Sequence, residues 1–284
     1  MSIAEKIQTS LKSMTRSEIR LADTILGDYP VSGLGSITEI AEKAGVSTPT
    51  VLRMVRKLGF KGFPDFQACL RRELGEVISN PITKRAAWQS DLPRQHIVNR
   101  FAQATLDNQR ATLDQLDIKA FDRLCRLLAN PRRRIFVAGG RLTHALAQYF
   151  YLHLQMIRAD VRLLPTSASW THDLLDIRKH DLLIVFDIRR YQNDTLLMAQ
   201  MARDRGAVVA LFTDQWRSPI HRFAQLSFGA RVTVPSAWDS AQSLILLIEC
   251  AIAAVQEASW DSVQKRTAEL EAAFDQTRLF RKFS

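Results

Sequence analysis

Residues 36–63, SITEIAEKAGVSTPTVLRMVRKLGFKGF, constrain the fold more tightly than any other stretch of this chain. Ser36 and Glu39 have the spacing of a capping box, in which each side chain satisfies an orphan N–H at a helix start. Ile37, Ile40, Ala41 and Ala44 follow at helical spacing, so one face of that helix is apolar. Ala41 is small enough for a second helix to cross closely. Gly45 stands where the turn needs a positive φ, which costs glycine little because it has no Cβ. Val46 fills the gap between the two helices. Ser47 or Thr48 can cap the second helix, and Pro49 suits its first turn, where no backbone N–H is required. Val51, Met54, Val55 and Leu58 then face inward.

Thr48, Thr50 and Arg53 are expected on the opposite side, at the end of the helix that enters the major groove in helix-turn-helix proteins. Arg53 has the fork that pairs bidentately with a guanine edge. Arg56, Lys57 and Lys61 follow at the far end, where phosphates are the natural targets. The candidate DNA-facing set is therefore Ser47, Thr48, Pro49, Thr50, Arg53, Arg56, Lys57 and Lys61. Any helical hairpin can carry a similar apolar pattern and a solvated charged face. Here the stretch from Lys43 to Pro64 holds five basic residues and no acidic one, so charge, turn chemistry and small-residue placement agree on double-stranded DNA.

The net charge of +10 suits a polyanionic partner without identifying it. No run of 18 apolar residues occurs, so no membrane-spanning helix is expected. The opening MSIAEKIQTSLKSM lacks an apolar core of the kind secretion signals carry. Cys69, Cys125 and Cys250 are odd in number and far apart, which favours free thiols in a reducing cytoplasm over a disulfide framework. No cysteine pair has metal-ligand spacing. His144 and His153 share one predicted helix without an HExxH context, so neither a metal site nor a cofactor is expected.

With 284 residues, the chain has room for two domains. Residues 1–77 read as all-helical, with a second capping box at Thr15 and Glu18, a stop at Tyr29-Pro30, a loop over Val31–Gly35 and a helix from Pro64 to Val77. Residues 78–130 read as a connection: a break at Ser79-Asn80-Pro81, a linker from Pro81 to Pro93, then helix from Ile97 to Leu128, joining the domains or contacting a second copy. From 131 to 258, strands are expected at Arg134–Gly139, Val161–Leu164, Leu182–Asp187, Val208–Phe212 and Arg231–Val234. Helices are expected between them at Leu142–Ile157, Asn193–Arg205 and Ala237–Ala258. Residues 259–284 read as a charged helical tail that packs on the second domain or on a partner subunit. The fold class is an all-α N-terminal helix-turn-helix domain followed by an α/β domain. Its strand–helix alternation predicts a doubly wound parallel five-stranded sheet with a ligand site at the strands' carboxyl ends.

Two loops at those ends carry candidate chemistry. The first strand runs into Gly139-Gly140-Arg141-Leu142-Thr143, where glycines permit close approach and helix-start N–H groups favour an anion. Thr143 could add its hydroxyl. The run is not GxGxxG, and only Asp160 stands near a ribose-reading position, so a dinucleotide is disfavoured; a tight turn with no ligand is the alternative. The third strand ends in Asp187-Ile188-Arg189-Arg190-Tyr191-Gln192, and paired arginines match phosphate or carboxylate geometry unless Asp187 simply neutralises one of them. The effector set is Gly139, Gly140, Arg141, Thr143, Asp187, Arg189, Arg190 and Tyr191, with Ser167, Ser169 and Ser240 as weaker candidates. No nucleophile–base constellation is visible, so no catalytic residue is assigned.

Three segments carry a resemblance that spans nearly the whole chain: ITEIAEKAGVSTPTVLRMVRKLGFKGFPDF, RIFVAGGRLTHALAQYFYLHL and DLLIVFDIRRYQNDTLLMAQMARDRGAVVALFTD. The chain resembles bacterial RpiR-type transcriptional regulators, which join an N-terminal helix-turn-helix domain to a C-terminal sugar isomerase (SIS) domain. The resemblance implies a cytoplasmic homodimer or homotetramer that binds operator DNA and responds to a phosphorylated sugar or related metabolite. The effector would lie between the Gly139–Thr143 turn and the loop after the third strand. Where SIS domains offer an S-x-S-G-x-T loop, this chain has Asp187, Arg189, Arg190 and Gln192. With that hydroxyl cradle lost, the arginines would bind a carboxylate, or a phosphate by another route, or the domain would serve dimerisation alone. Two other functions compete with a ligand-responsive regulator. One is a sugar-phosphate isomerase with an appended helical domain, against which the missing acid/base pair counts. The other is a protein-interaction module, which predicts no salt-dependent DNA affinity.

If Arg53 reads a guanine, Arg53→Ala weakens specific binding by about 1–3 kcal/mol. Footprinting the variant against matched non-specific DNA checks this, and an equal loss on both DNAs would reassign Arg53 to a phosphate.

Overall fold

A computed structural model describes residues 1–89 and 96–281. In chain order the elements are α1 (Ile3–Ser10), α2 (Arg16–Gly27), α3 (Ile37–Ala44), α4 (Thr48–Lys57), α5 (Phe63–Ile78), α6 (Pro81–Gln89), α7 (Ile97–Asp114) and α8 (Ile118–Ala129). There follow β1 (Ile135–Gly139), α9 (His144–Ile157), β2 (Val161–Leu163), α10 (Trp170–Asp176), β3 (Leu182–Asp187), α11 (Asn193–Asp204), β4 (Val208–Asp214), β5 (Leu226–Ala230), α12 (Gln242–Ala258) and α13 (Trp260–Thr277).

Capping boxes set the starts of three N-terminal helices: Thr15–Glu18 and Ser36–Glu39, both expected, and Ser2–Glu5, which the sequence reading passed over. Gly45 takes φ +60 and closes α3, its N–H donating to the carbonyls of Ala41 and Glu42. Ile40, Ala41, Val51, Met54, Phe66 and Leu70 fill the helical core. A buried carboxylate knots this core together. Glu73 accepts the Tyr29 hydroxyl on one oxygen and the Ile3 N–H, at 2.9 Å, on the other, tying α1 to α5.

The second domain is a five-stranded parallel sheet in the order β2-β1-β3-β4-β5. Every residue of β1 and β3 is buried, as expected for a parallel sheet covered on both faces. Ile184, Phe186 and Phe212 meet α8, α9 and α12 on one side. Phe136, Val185 and Leu211 meet α10 and α11 on the other. This is the doubly wound arrangement the alternating pattern predicted.

Four expectations need correction. The fifth strand is Leu226–Ala230, paired with β4, and not Arg231–Val234. Val232 and Val234 are buried with the alternation of a strand, but their segment bonds to side chains instead of a ladder: Arg231 N–H donates to Thr112 Oγ1 (2.9 Å), and Asn108 Nδ2 to the Thr233 carbonyl (2.8 Å). The stretch from Ile97 to Leu128 is two helices, because Asp117 caps a new one with its side chain on the Ala120 N–H. The linker from Pro81 is helical as far as Gln89, and its remainder lies outside the described residues. Finally, α10 was not foreseen, and the loop from Val31 contains a short 3₁₀ turn at Val31–Gly33.

Two carboxylates sit at the carboxyl ends of β3 and β4. Asp214 is fully buried and accepts from the Tyr191 hydroxyl (2.8 Å), the Arg189 N–H (2.6 Å) and the Trp216 N–H (3.0 Å). Asp187 accepts from the Ser218 hydroxyl. Burial, reinforced by repulsion from Asp214, pushes Asp187 up to about 7 against the Ser218 hydrogen bond. The folded chain thus holds this proton more tightly than the unfolded chain does. The resulting stability is fully present below the unfolded value of 3.8 and lost as pH rises through about 7. The stability advantage of the wild type over Asp187→Asn should accordingly shrink between pH 4 and pH 7.5, as read by urea unfolding at both. An advantage that stays constant or grows with pH would contradict this account.

Candidate functional site

Helix α4 presents Pro49, Leu52, Arg53 and Arg56 to solvent, with Ser47 exposed at its N-cap and Thr48 half-buried. Two members of the expected DNA-facing set are placed otherwise. Thr50 is buried (6% exposed), lying beside Val51 and Met54, and its hydroxyl sits 3.0 Å from that of Ser47. Lys57 is turned back on the domain: its Nζ donates to the Ser13 carbonyl (2.6 Å) and to Glu18 Oε2 (2.9 Å), tying the end of α4 to the start of α2. Arg56 and Lys61 remain exposed cations at this end. Leu52, 37% exposed beside Arg53, was missed. Its phase gives it away, for it falls outside the buried run of Val51, Met54, Val55 and Leu58, and an exposed apolar group here suits a thymine methyl.

A pocket of about 600 Å³ opens at the carboxyl ends of β1 and β3. The turn after β1, the loop after β3 and residues 237–239 wall it, as do Ser79, Pro81 and Lys84 from the joint between α5 and α6. That last wall was not foreseen, because the linker from Pro81 carried no sign of packing on the second domain.

The expected effector residues divide. Arg141 and Arg190 are exposed at this pocket. Arg190 has φ +65, in the left-handed region that favours glycine, and it stands where the SIS loop pattern has glycine. Arg189 is no free anion fork. Its Nη1 donates to the Glu76 carbonyl (2.9 Å) and to Ser79 Oγ (3.3 Å), its Nη2 pairs with Asp239 (2.7 Å), and the guanidinium stacks 4.1 Å above the Trp216 ring. Thr143 is also committed, donating to the Phe186 carbonyl (2.7 Å) and accepting from the Gly140 N–H (2.8 Å). Tyr191 lines a neighbouring cavity and donates to Asp214, and burial raises its hydroxyl further above the usual tyrosine range. Asp187 is spent on Ser218.

The two glycines make room for protein and not for open space. A Cβ on Gly139 would stand 2.5 Å from the Thr143 carbonyl oxygen, and one on Gly140 2.1 Å from Gln192 Oε1. That Gln192 oxygen accepts the Arg141 N–H. Asp239 and Lys84, which pair at 2.6 Å, were not singled out from the sequence. Burial lowers Lys84 despite that partner. Asp239 was hidden by drawing the last sheet helix from Ala237, whereas α12 starts at Gln242 and leaves 237–241 as a loop over the pocket. Among the described residues no group of histidines, cysteines or carboxylates is placed to hold a metal ion, and no single helix is long and apolar enough to cross a membrane.

Comparison with known proteins agrees with this two-part architecture. Residues 1–76 match the family model for the helix-turn-helix domain of the rpiR family, and residues 127–254 match the SIS domain. The transcriptional regulator HexR of Escherichia coli K12 is 28% identical over 233 residues, covering 80% of this chain and 77% of its own. HexR of Pseudomonas aeruginosa is 28% identical over 231 residues, covering 79% and 77%. Among solved structures, the sugar isomerase domain of an RpiR transcription factor from Sphaerobacter thermophilus superposes with a TM-score of 0.59 at 21% identity, covering 63% of this chain and 99% of that one. Vibrio vulnificus NanR, solved in complex with ManNAc-6P, superposes with a TM-score of 0.57 at 16% identity over 99% of this chain and 100% of its own. With an rpiR-family helix-turn-helix domain at its N-terminus and a SIS domain following, the chain belongs to the RpiR-type transcriptional regulators.

Proposed function

We propose that α4 reads the major groove of an operator and that the pocket senses a small anionic metabolite which changes that reading. The observation that carries the coupling is Arg189. It is a pocket residue, yet its guanidinium holds the last turn of α5 through the Glu76 carbonyl and Ser79 Oγ. An anion drawn to the exposed Arg141 and Arg190 enters the same pocket as the Arg189–Asp239–Lys84 network, and its charge there acts on the pins that hold the segment leaving the DNA-binding domain. Only an effector that binds one arrangement of that joint more tightly shifts the population. The sensing role also agrees with the ManNAc-6P complex of NanR, a protein of the same overall fold.

The reading head would work in pairs. Exposed apolar side chains on α7 (Leu106, Leu113) and α9 (Leu152, Met156) are available to a second copy, which would set two α4 helices on neighbouring major grooves, roughly 34 Å apart per helical turn. An isomerase is the weaker reading. Proton transfer between substrate carbons needs a positioned base, and the pocket's carboxylates are engaged, Asp187 by Ser218 and Asp239 by Lys84 and Arg189.

Genomic binding-site mapping supplies the operator, and fluorescence anisotropy on that fragment tests the reading. Log affinity should fall linearly with log salt, and Arg56→Ala should reduce the slope by about 1 if Arg56 neutralises one phosphate. Binding that ignores salt, or no preference for the mapped fragment, would sink the proposal.

A further inference from the structure

We propose that the pocket takes a carboxylate with an apolar, ring-sized body in preference to a phosphorylated sugar, and that Gln192 enforces the choice. The inference rests on the sensing role proposed above and narrows its ligand class.

The first support is at the turn after β1. An anion seated at the start of α9 needs the backbone N–H groups there, but Arg141 N–H already donates to the Gln192 carboxamide oxygen. That oxygen packs against Gly140, where even a Cβ would stand 2.1 Å away. The Thr143 hydroxyl is closed between Gly140 N–H and the Phe186 carbonyl. The protein's own amide therefore occupies the place an anion's oxygen would take, and a phosphate there must first displace it.

The second support is that the other polar groups are bonded to each other. Ser79 Oγ accepts from Arg189, and Asp239 Oδ1 joins Arg189 to Lys84. A sugar gives up hydrogen bonds to water for each hydroxyl it buries, and Arg189, Lys84 and Ser79 are already engaged and return few of them.

What remains open has a different chemistry. Leu142 (63% exposed) and Trp238 (56% exposed) form an apolar wall with Ile188. Arg141 and Arg190 bring to the same pocket two exposed guanidiniums, neither of which has a side-chain partner among the described residues. A guanidinium fork matches a carboxylate or a phosphate in bidentate geometry, so the apolar wall is what favours an acid with a hydrocarbon body over a sugar. The volume of about 600 Å³ admits an aromatic or alicyclic acid with room to spare.

Isothermal titration of the full chain with phenylacetate, glucose 6-phosphate and inorganic phosphate tests this. Phenylacetate should bind at least about ten-fold more tightly than glucose 6-phosphate, and Arg190→Ala should weaken it by about ten-fold or more. Gln192→Ala, which frees the Arg141 N–H, should gain affinity for inorganic phosphate by about ten-fold. Tighter binding of glucose 6-phosphate by the wild type, no heat from phenylacetate, or an Arg190→Ala variant that binds it normally would each overturn the ligand class. A Gln192→Ala variant still blind to phosphate would overturn the role given to Gln192. Operator binding by anisotropy needs none of these ligands, so failure of the regulator reading shows up separately. Melting curves of each variant identify any loss that is only misfolding.

Discussion

Arg189 is the interaction on which the organisation of this protein turns. Its guanidinium is almost entirely buried, with 6% of the side chain exposed, and a charge so placed must be met by protein. It is met from three directions: the C-terminal turn of α5, the Asp239 loop ahead of α12, and the face of Trp216 after β4. A helix C-terminus is a fitting partner, since its free carbonyls carry partial negative charge. Its backbone N–H meanwhile binds Asp214. One residue thus closes the ends of the sheet and fastens the DNA-reading domain to it. Its remaining donor, Nε, is buried without a partner among the described residues, which leaves the network one bond short beside the pocket.

Two further bridges support that junction. Arg231 pairs with Glu5 at 2.6 Å, and Ser2 Oγ donates to the Gln215 carbonyl at 3.1 Å, so α1 also rests on the second domain. Trp216 and Val232 of the second domain complete the apolar core of the first. The contact is mixed, apolar in part but pinned by charges, and charged pins are the kind that a small ion can compete for. Under the proposed function, fixing the reading head through them is what would make its placement responsive to what enters the pocket.

The helical domain was legible because its signals are local. Capping boxes at Thr15 and Ser36, the positive φ at Gly45 and the apolar spacing of Val51, Met54, Val55 and Leu58 all act within a few residues, and each is where the pattern placed it. The parallel sheet was legible for a related reason, since buried strands such as LLIVFD are continuous apolar runs. Where local patterns matched two outcomes the reading slipped. Arg231–Val234 alternates like a strand, yet the edge beside β4 was already taken by LSFGA, a weaker-looking run with a glycine.

The effector set fared less evenly, because a side chain's role depends on who reaches it first. Composition and spacing alone determined a helical N-terminal region followed by a parallel α/β sheet, a helix with exposed basic residues and a pair of arginines at the end of the third strand. Tertiary structure alone decided that Lys57 turns inward to Glu18, that Thr143 and Arg189 serve the protein itself, and that Gln192, Asp239 and Lys84 complete the pocket. The physical reason is distance along the chain: Lys84 and Asp239 lie 155 residues apart. Periodicity reports what neighbours a few residues away will do, whereas a hydrogen-bond donor is spent by whichever acceptor the folded chain brings to it.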